Sequence, residues 1–123
     1  MKKLLIILAA VLLASCASEP QYATRAEKLL AEINDPTSDY VMVISHRGDW
    51  RNYPENSIPA IESVIRMGVD IVEIDLKMTK DSVLILSHDQ TINRMFNGKG
   101  YVSDFTYDSL KTFKLRRAHN IAT

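Results

Sequence analysis

Residues 4–14 form an unbroken apolar run, and from residue 25 onward hydrophobic positions fall instead into short periodic groups. Ala26, Leu29, Leu30 and Ile33 recur at helical spacing, which predicts an amphipathic helix over residues 25–33, ended by Asn34, Asp35 and Pro36, with a packing role. Val41, Met42, Val43 and Ile44 form a mostly β-branched apolar run, the pattern of a strand buried on both faces. That strand delivers His46 and Arg47 at its C-terminal end. After a loop over residues 48–56, Ile58, Ile61, Val64 and Ile65 repeat with helical period, Pro59 falls in the first turn and Gly68 closes the segment. A second strand is predicted over residues 69–76 and a third over residues 83–87. The order strand, helix, strand is the unit that builds parallel sheets, so the chain belongs to the α/β class. The gap before the third strand is too short for a parallel crossover, which makes that connection a hairpin.

The apolar run at the start is about half of the ~20 residues that a membrane-spanning helix requires, which argues against a permanent span. Lys2 and Lys3 precede it and the small residues Ala14, Ser15, Cys16 and Ala17 follow it, the pattern of an export signal. Leu13-Ala14-Ser15-Cys16 resembles the bacterial lipobox. The resemblance implies cleavage before Cys16, lipidation of its sulfur and a membrane anchor in the cell envelope; an ordinary signal peptide that happens to contain a cysteine is the other reading. Each buried methylene of an acyl chain contributes ~0.8 kcal/mol to such a tether. Residues 17–24 are small, polar and proline-containing, which suits a linker between the tether and a domain over residues 25–123.

Fifteen Lys and Arg balance fifteen Asp and Glu, so no electrostatic signal points to a nucleic-acid partner. With Cys16 as the one cysteine, a disulfide framework and a multi-thiolate metal site are excluded. Any function therefore has to come from local constellations of His, Arg, Asp and Glu.

Alternation along the second strand places Ile71, Glu73 and Asp75 on one face. Two carboxylates so close resist joint ionisation in a sheet interior, and a divalent cation would neutralise them; an all-oxygen set favours calcium or magnesium. A solvated edge accommodates the same pair. If Thr79-Lys80-Asp81-Ser82 forms the hairpin loop, Glu73 falls opposite His88, and Ser82 stands where such loops often use a glycine with positive φ. His46 sits at the strand end where α/β sheets and barrels place their active sites. His46 and His88 suit proton transfer because imidazole exists in both forms near neutral pH. Arg47 offers a planar fork of donors that matches phosphate oxygens. Taken singly, each of these residues also fits a structural or solvated role.

Taken in order, His46-Arg47-Gly48, Pro54-Glu55-Asn56-Ser57, Glu73-Ile74-Asp75, Thr79-Lys80-Asp81, His88-Asp89 and Asn97-Gly98-Lys99-Gly100 resemble the N-terminal motifs of the glycerophosphodiester phosphodiesterase family. The resemblance runs from about residue 41 to 115, and its main departure is Ser82 in place of the usual turn glycine. It implies the N-terminal part of a phospholipase-C-like TIM (β/α) barrel, incomplete in this chain, that hydrolyses small-molecule glycerophosphodiesters to glycerol 3-phosphate and an alcohol. It also implies that Glu73 and Asp75 are metal ligands, His46 and His88 the general acid and base, and Arg47 the phosphate ligand. Glu55 and Asn56 take a supporting role, and Asp89, Arg94 and Asn97 shape a loop. Thr106 then caps a short helix with Leu110 and Phe113 on one face.

A (β/α) barrel takes ~250 residues, so the expectation is a truncated frame or a fragment, inactive and poorly folded alone, whose third acidic ligand lies beyond Thr123. Residues 117–123 match nothing assignable. Two other functions fit the same residues: a lipid-anchored, non-catalytic binding module on this fold, and a related phosphodiesterase with a different diester substrate.

Overall fold

The structure, a computed structural model, describes residues 21–116. The leader, Cys16 and residues 117–123 lie outside the described residues. The chain divides into two units between Tyr40 and Val41.

The first unit contains helix α1, Arg25–Asn34. Thr24 caps it: its hydroxyl accepts from the Glu27 amide while the Glu27 carboxylate accepts from the Thr24 amide, a reciprocal capping box. At the other end Asp35 leaves the helical region and Pro36 follows, as the sequence predicts.

In the second unit, β1 (Ile44–His46) is followed by α2 (Ile58–Met67) and β2 (Ile71–Glu73), with β1 and β2 paired in parallel. Ser57 caps α2, Pro59 sits in its first turn, and Gly68 ends it in the left-handed region at φ 78°. The strand, helix, strand unit read from hydrophobic spacing is therefore present. Its first strand starts later than predicted, however, and Val41 remains 81% exposed. Among the described residues of its unit β1 pairs on one side only, with β2, which leaves Val41 and Val43 exposed.

The predicted strand over residues 69–76 breaks in two. Asp75 leaves the parallel ladder because a side chain replaces the neighbouring strand: its amide donates to Asn56 Oδ1 at 3.0 Å, and Asn56 Nδ2 donates to its carboxylate at 2.9 Å. The chain then enters a separate antiparallel hairpin of β3 (Leu76–Met78) and β4 (Leu84–Leu86). Thr79 pairs with Val83 through its amide (2.9 Å) and its hydroxyl (3.0 Å), so the loop is the three residues Lys80, Asp81 and Ser82. Ser82 takes the left-handed turn conformation expected of it, φ 63°. The shorter loop moves the register by one residue, pairing Leu76 with Leu86 and Met78 with Leu84. Glu73 therefore does not lie opposite His88, because a one-residue slip sends every side chain to the other face.

Beyond β4 the chain is mostly irregular yet well buried. Ile92, Met95, Phe96, Val102 and Leu110 form the core, with Ile85, Phe105, Phe113 and Leu115 packed against it. A short 3₁₀ turn (Val102–Asp104) and helix α3 (Tyr107–Leu110) complete this layer, and Thr106 caps α3 as the sequence suggests. Asn97 staples the segment through a pair of bonds with the Lys114 backbone at 3.0 and 2.7 Å.

Candidate active site

The site begins where β1 ends. Arg47 adopts φ 59° and Gly48 φ 76°, so the chain turns sharply out of the strand. A left-handed conformation costs an L-residue ~1–2 kcal/mol. Here it is held by the Arg47 amide bonded to the Glu73 carbonyl at 3.0 Å and by the Asn56 amide bonded to the Arg47 carbonyl at 3.0 Å. Gly48 is required twice over, since a Cβ at this position would meet the Ala60 backbone at 2.9 Å. The turn carries the Arg47 side chain inward while leaving His46 at the rim, with 64% of its side chain exposed.

Parallel pairing makes His46 and Glu73 register partners, and His46 Nε2 lies 4.0 Å from a Glu73 carboxylate oxygen. The carboxylate and histidine juxtaposition expected from the sequence thus exists with the other histidine. Glu73 also accepts from the Arg47 amide at 3.2 Å. Asp75 approaches Arg47 Nε at 3.3 Å, so both predicted metal ligands converge on the Arg47 turn although they no longer share one continuous strand. Arg47 Nε is buried without a well-formed hydrogen bond.

Glu55 is the pivot that the sequence does not reveal. It is 8% exposed, and its carboxylate accepts from Arg47 Nη1 at 3.1 Å and from Arg94 Nη1 and Nη2 at 3.0 and 2.7 Å. The Arg94 hydrogen bonds, against the opposing effect of burial, hold its carboxyl below the ordinary value. Arg94 continues to Asp89 through Nε at 2.8 Å and Nη2 at 3.0 Å, and Asp89 meets His88 Nδ1 at 2.7 Å. Asp89 is pulled down to about 2, chiefly by Arg94 and further by His88. A continuous chain of polar side chains therefore links Asp75, Arg47, Glu55, Arg94, Asp89 and His88. From sequence, Glu55 takes a supporting role and Asp89 and Arg94 look like loop-shaping residues; that Glu55 joins the two arginines appears only in the fold, where Ile92, Met95 and Phe96 bury the loop that carries Arg94.

Among the described residues no three His, Cys, Asp or Glu side chains gather as a metal cage. Glu73 and Asp75 nonetheless present carboxylate oxygens beside the same turn, a donor chemistry that fits a hard divalent cation such as calcium or magnesium. An open groove of about 500 Å³, lined by apolar residues including Pro59, Leu84, Leu86 and Phe113, adjoins the start of α2 and is separate from this polar chain except through Asn56.

The chain is similar in sequence and in fold to known proteins. A family model described as the glycerophosphoryl diester phosphodiesterase family matches residues 46–123. A glycerophosphodiester phosphodiesterase from Caldanaerobacter subterraneus is 46% identical over 70 residues, 57% of this chain and 29% of that protein. One from Bacillus altitudinis is 45% identical over 69 residues, 56% of this chain and 28% of that protein. The crystal structure of a glycerophosphoryl diester phosphodiesterase from Parabacteroides distasonis superposes with a TM-score of 0.71 at 34% identity, covering 81% of this chain and 35% of that one. The chain spans less than a third of the length of the two sequence relatives. Its mixed α/β fold is part of the barrel of this structural neighbour, and the strands among the described residues do not close a barrel.

Proposed function

The chain belongs to the glycerophosphoryl diester phosphodiesterase family, and on that premise we propose that it carries the proton-transfer and phosphate-binding half of an enzyme that hydrolyses glycerophosphodiesters to glycerol 3-phosphate and an alcohol. The observation that carries this reading is the convergence of Glu73, Asp75 and Glu55 on Arg47, directly after His46 at the end of β1.

Hydrolysis of a phosphodiester requires neutralisation of the phosphoryl oxygens, a deprotonated nucleophile and a protonated leaving alkoxide. Arg47 suits the first need. One of its terminal nitrogens is committed to Glu55, while among the described residues no acceptor meets Nη2, which leaves part of the fork for a phosphate oxygen. His46 and His88 supply the other two needs, one imidazole taking the proton of the attacking hydroxyl and the other giving a proton to the departing oxygen. Glu73 and Asp75 would hold calcium or magnesium, which when bound adds positive charge next to the phosphate.

The test, in the complete enzyme, is release of glycerol 3-phosphate from glycerophosphocholine. Activity should vanish in excess chelator, return with calcium or magnesium, and demand far more metal in Glu73→Gln and Asp75→Asn. Full activity in chelator would overturn the metal assignment, and absence of hydrolysis across a panel of glycerophosphodiesters would overturn the substrate class. The lipobox-like Leu13-Ala14-Ser15-Cys16 supports a second element, anchoring in the bacterial cell envelope. Fatty-acid labelling of the mature protein should disappear in Cys16→Ser; a labelled Ser variant would exclude the anchor.

A further inference from the structure

The two arginines that share Glu55 differ in how far their donors are used. A guanidinium has five N–H groups in a fixed fork. In Arg94 each has an acceptor: Nε to Asp89, Nη1 to Glu55 and to the Met95 sulfur at 3.1 Å, and Nη2 to Glu55 and to Asp89. No donor is left over for a phosphate oxygen. Arg94 is therefore unsuited to bind substrate, although it lies one residue away from the His88 imidazole in the chain of contacts. Its planar fork instead grips Glu55 with one edge and Asp89 with the other, a geometry that a lysine ammonium cannot reproduce.

The consequence falls on His88. An ionised carboxylate can only accept, so the 2.7 Å contact between Asp89 and His88 requires the proton to be on Nδ1. In the neutral ring Nε2 is then the free acceptor. Asp89 in turn is held in place by two bonds that Arg94 donates to it, and Arg94 by two bonds that it donates to the buried Glu55.

We propose that Arg94 is a positioning residue for His88, acting through Asp89 to fix the Nδ1–H tautomer and present Nε2 as the proton-transfer atom, and that Glu55 ties this assembly to the phosphate ligand Arg47. One buried carboxylate thereby sets the spacing between the phosphate seat and the histidine. The inference rests on the proposed phosphodiesterase reading for its catalytic consequence, but its structural core is independent of activity.

The experiment is a two-bond proton–nitrogen NMR measurement of the histidine rings in the protein, paired with steady-state kinetics on glycerophosphocholine. Neutral His88 should be dominated by the Nδ1–H form. Arg94→Lys, which keeps the charge and loses the fork, should give a mixture of tautomers and lower kcat by roughly 10–100-fold, the range seen when outer partners of a functional histidine are removed, with KM little changed. Asp89→Asn, which leaves the Arg94–Glu55 pair intact, is the second variant in case Arg94→Lys does not fold, and it should shift His88 towards Nε2–H. An unchanged tautomer in both variants, or a rise in KM at constant kcat, would overturn the positioning role. If the complete wild-type enzyme hydrolyses no glycerophosphodiester, the proposed function fails, and the ring spectra alone still decide the inference.

Discussion

His46 and His88 reach the same candidate site by opposite means. His46 stands on the last residue of a parallel strand, its backbone fixed by β2 while its ring is largely exposed and only 4.0 Å from Glu73. His88 lies past the end of a short hairpin, in irregular chain, but its ring is tied at 2.7 Å to Asp89 and through Arg94 to the buried Glu55. Regular secondary structure thus fixes a backbone without fixing a side chain, and a loop with a saturated network of hydrogen bonds fixes a side chain without regular secondary structure. The first histidine is free to be oriented by substrate or cation; the second is preorganised.

Removing either ring should produce the largest effect and treat the two alike. His46→Ala and His88→Ala should each lower kcat for glycerophosphocholine by ~10²–10⁴-fold, the usual worth of a general acid or base. Full activity in one of them would break the pairing of roles.

Next in size is the support of the loop. Glu55→Ala leaves two arginines near the interior without their shared partner, and breaking a buried ion pair from one side costs about 3–5 kcal/mol. Urea unfolding should show a loss of about 3 kcal/mol. The equivalent change at the open histidine, Glu73→Ala, should cost less than about 1 kcal/mol, as expected for an exposed pair. Equal losses would mean that the two regions are held equally tightly.

The same contrast should appear on acidification. Arg94, and to a lesser degree His88, hold the Asp89 carboxyl at about 2 in the folded protein, against an ordinary value of 3.8. A depressed carboxyl contributes stability that is fully present above the unfolded value, so this contribution should hold at neutral pH, begin to fade near pH 4 and be gone as pH falls through about 2. Unfolding followed from pH 6 to 2 should be steeper in the wild type than in Asp89→Asn; identical slopes would show that Asp89 does not hold the loop.

The smallest effect sharpens the hairpin that leads to His88. Ser82 occupies φ 63°, and Ser82→Gly should stabilise the protein by up to about 1 kcal/mol, the strain relieved less the added freedom of the unfolded chain. A loss of stability would show that the serine side chain contributes to the turn.

Helices α1 and α2 were legible because their signals are local: the helical spacing of Ala26, Leu29, Leu30 and Ile33 with Pro36 beyond them, and that of Ile58, Ile61, Val64 and Ile65 with Pro59 in the first turn and Gly68 at the close. The parallel pair was legible for a similar reason, since the apolar runs and the helix between them leave one economical arrangement. The hairpin register was missed because Thr79 closes the loop with its own side chain, a bond that alternation of apolar residues does not encode. The break at Asp75 was missed because its partner, Asn56, lies nineteen positions earlier in the chain.

For the candidate site, His46, Arg47, Glu73, Asp75 and His88 were singled out from residue chemistry and ordered motifs, and the structure brings His46, Glu73 and Asp75 to the Arg47 turn and ties His88 to Asp89. What the sequence determined by itself is therefore the α/β order and the set of groups available for chemistry. Which histidine faces Glu73, and that Glu55 joins Arg47 to Arg94, were decided by tertiary structure alone. The first depends on a contact between residues 27 positions apart and the second on one between residues 39 positions apart, and such contacts arise only when strand register and loop burial bring separate segments together.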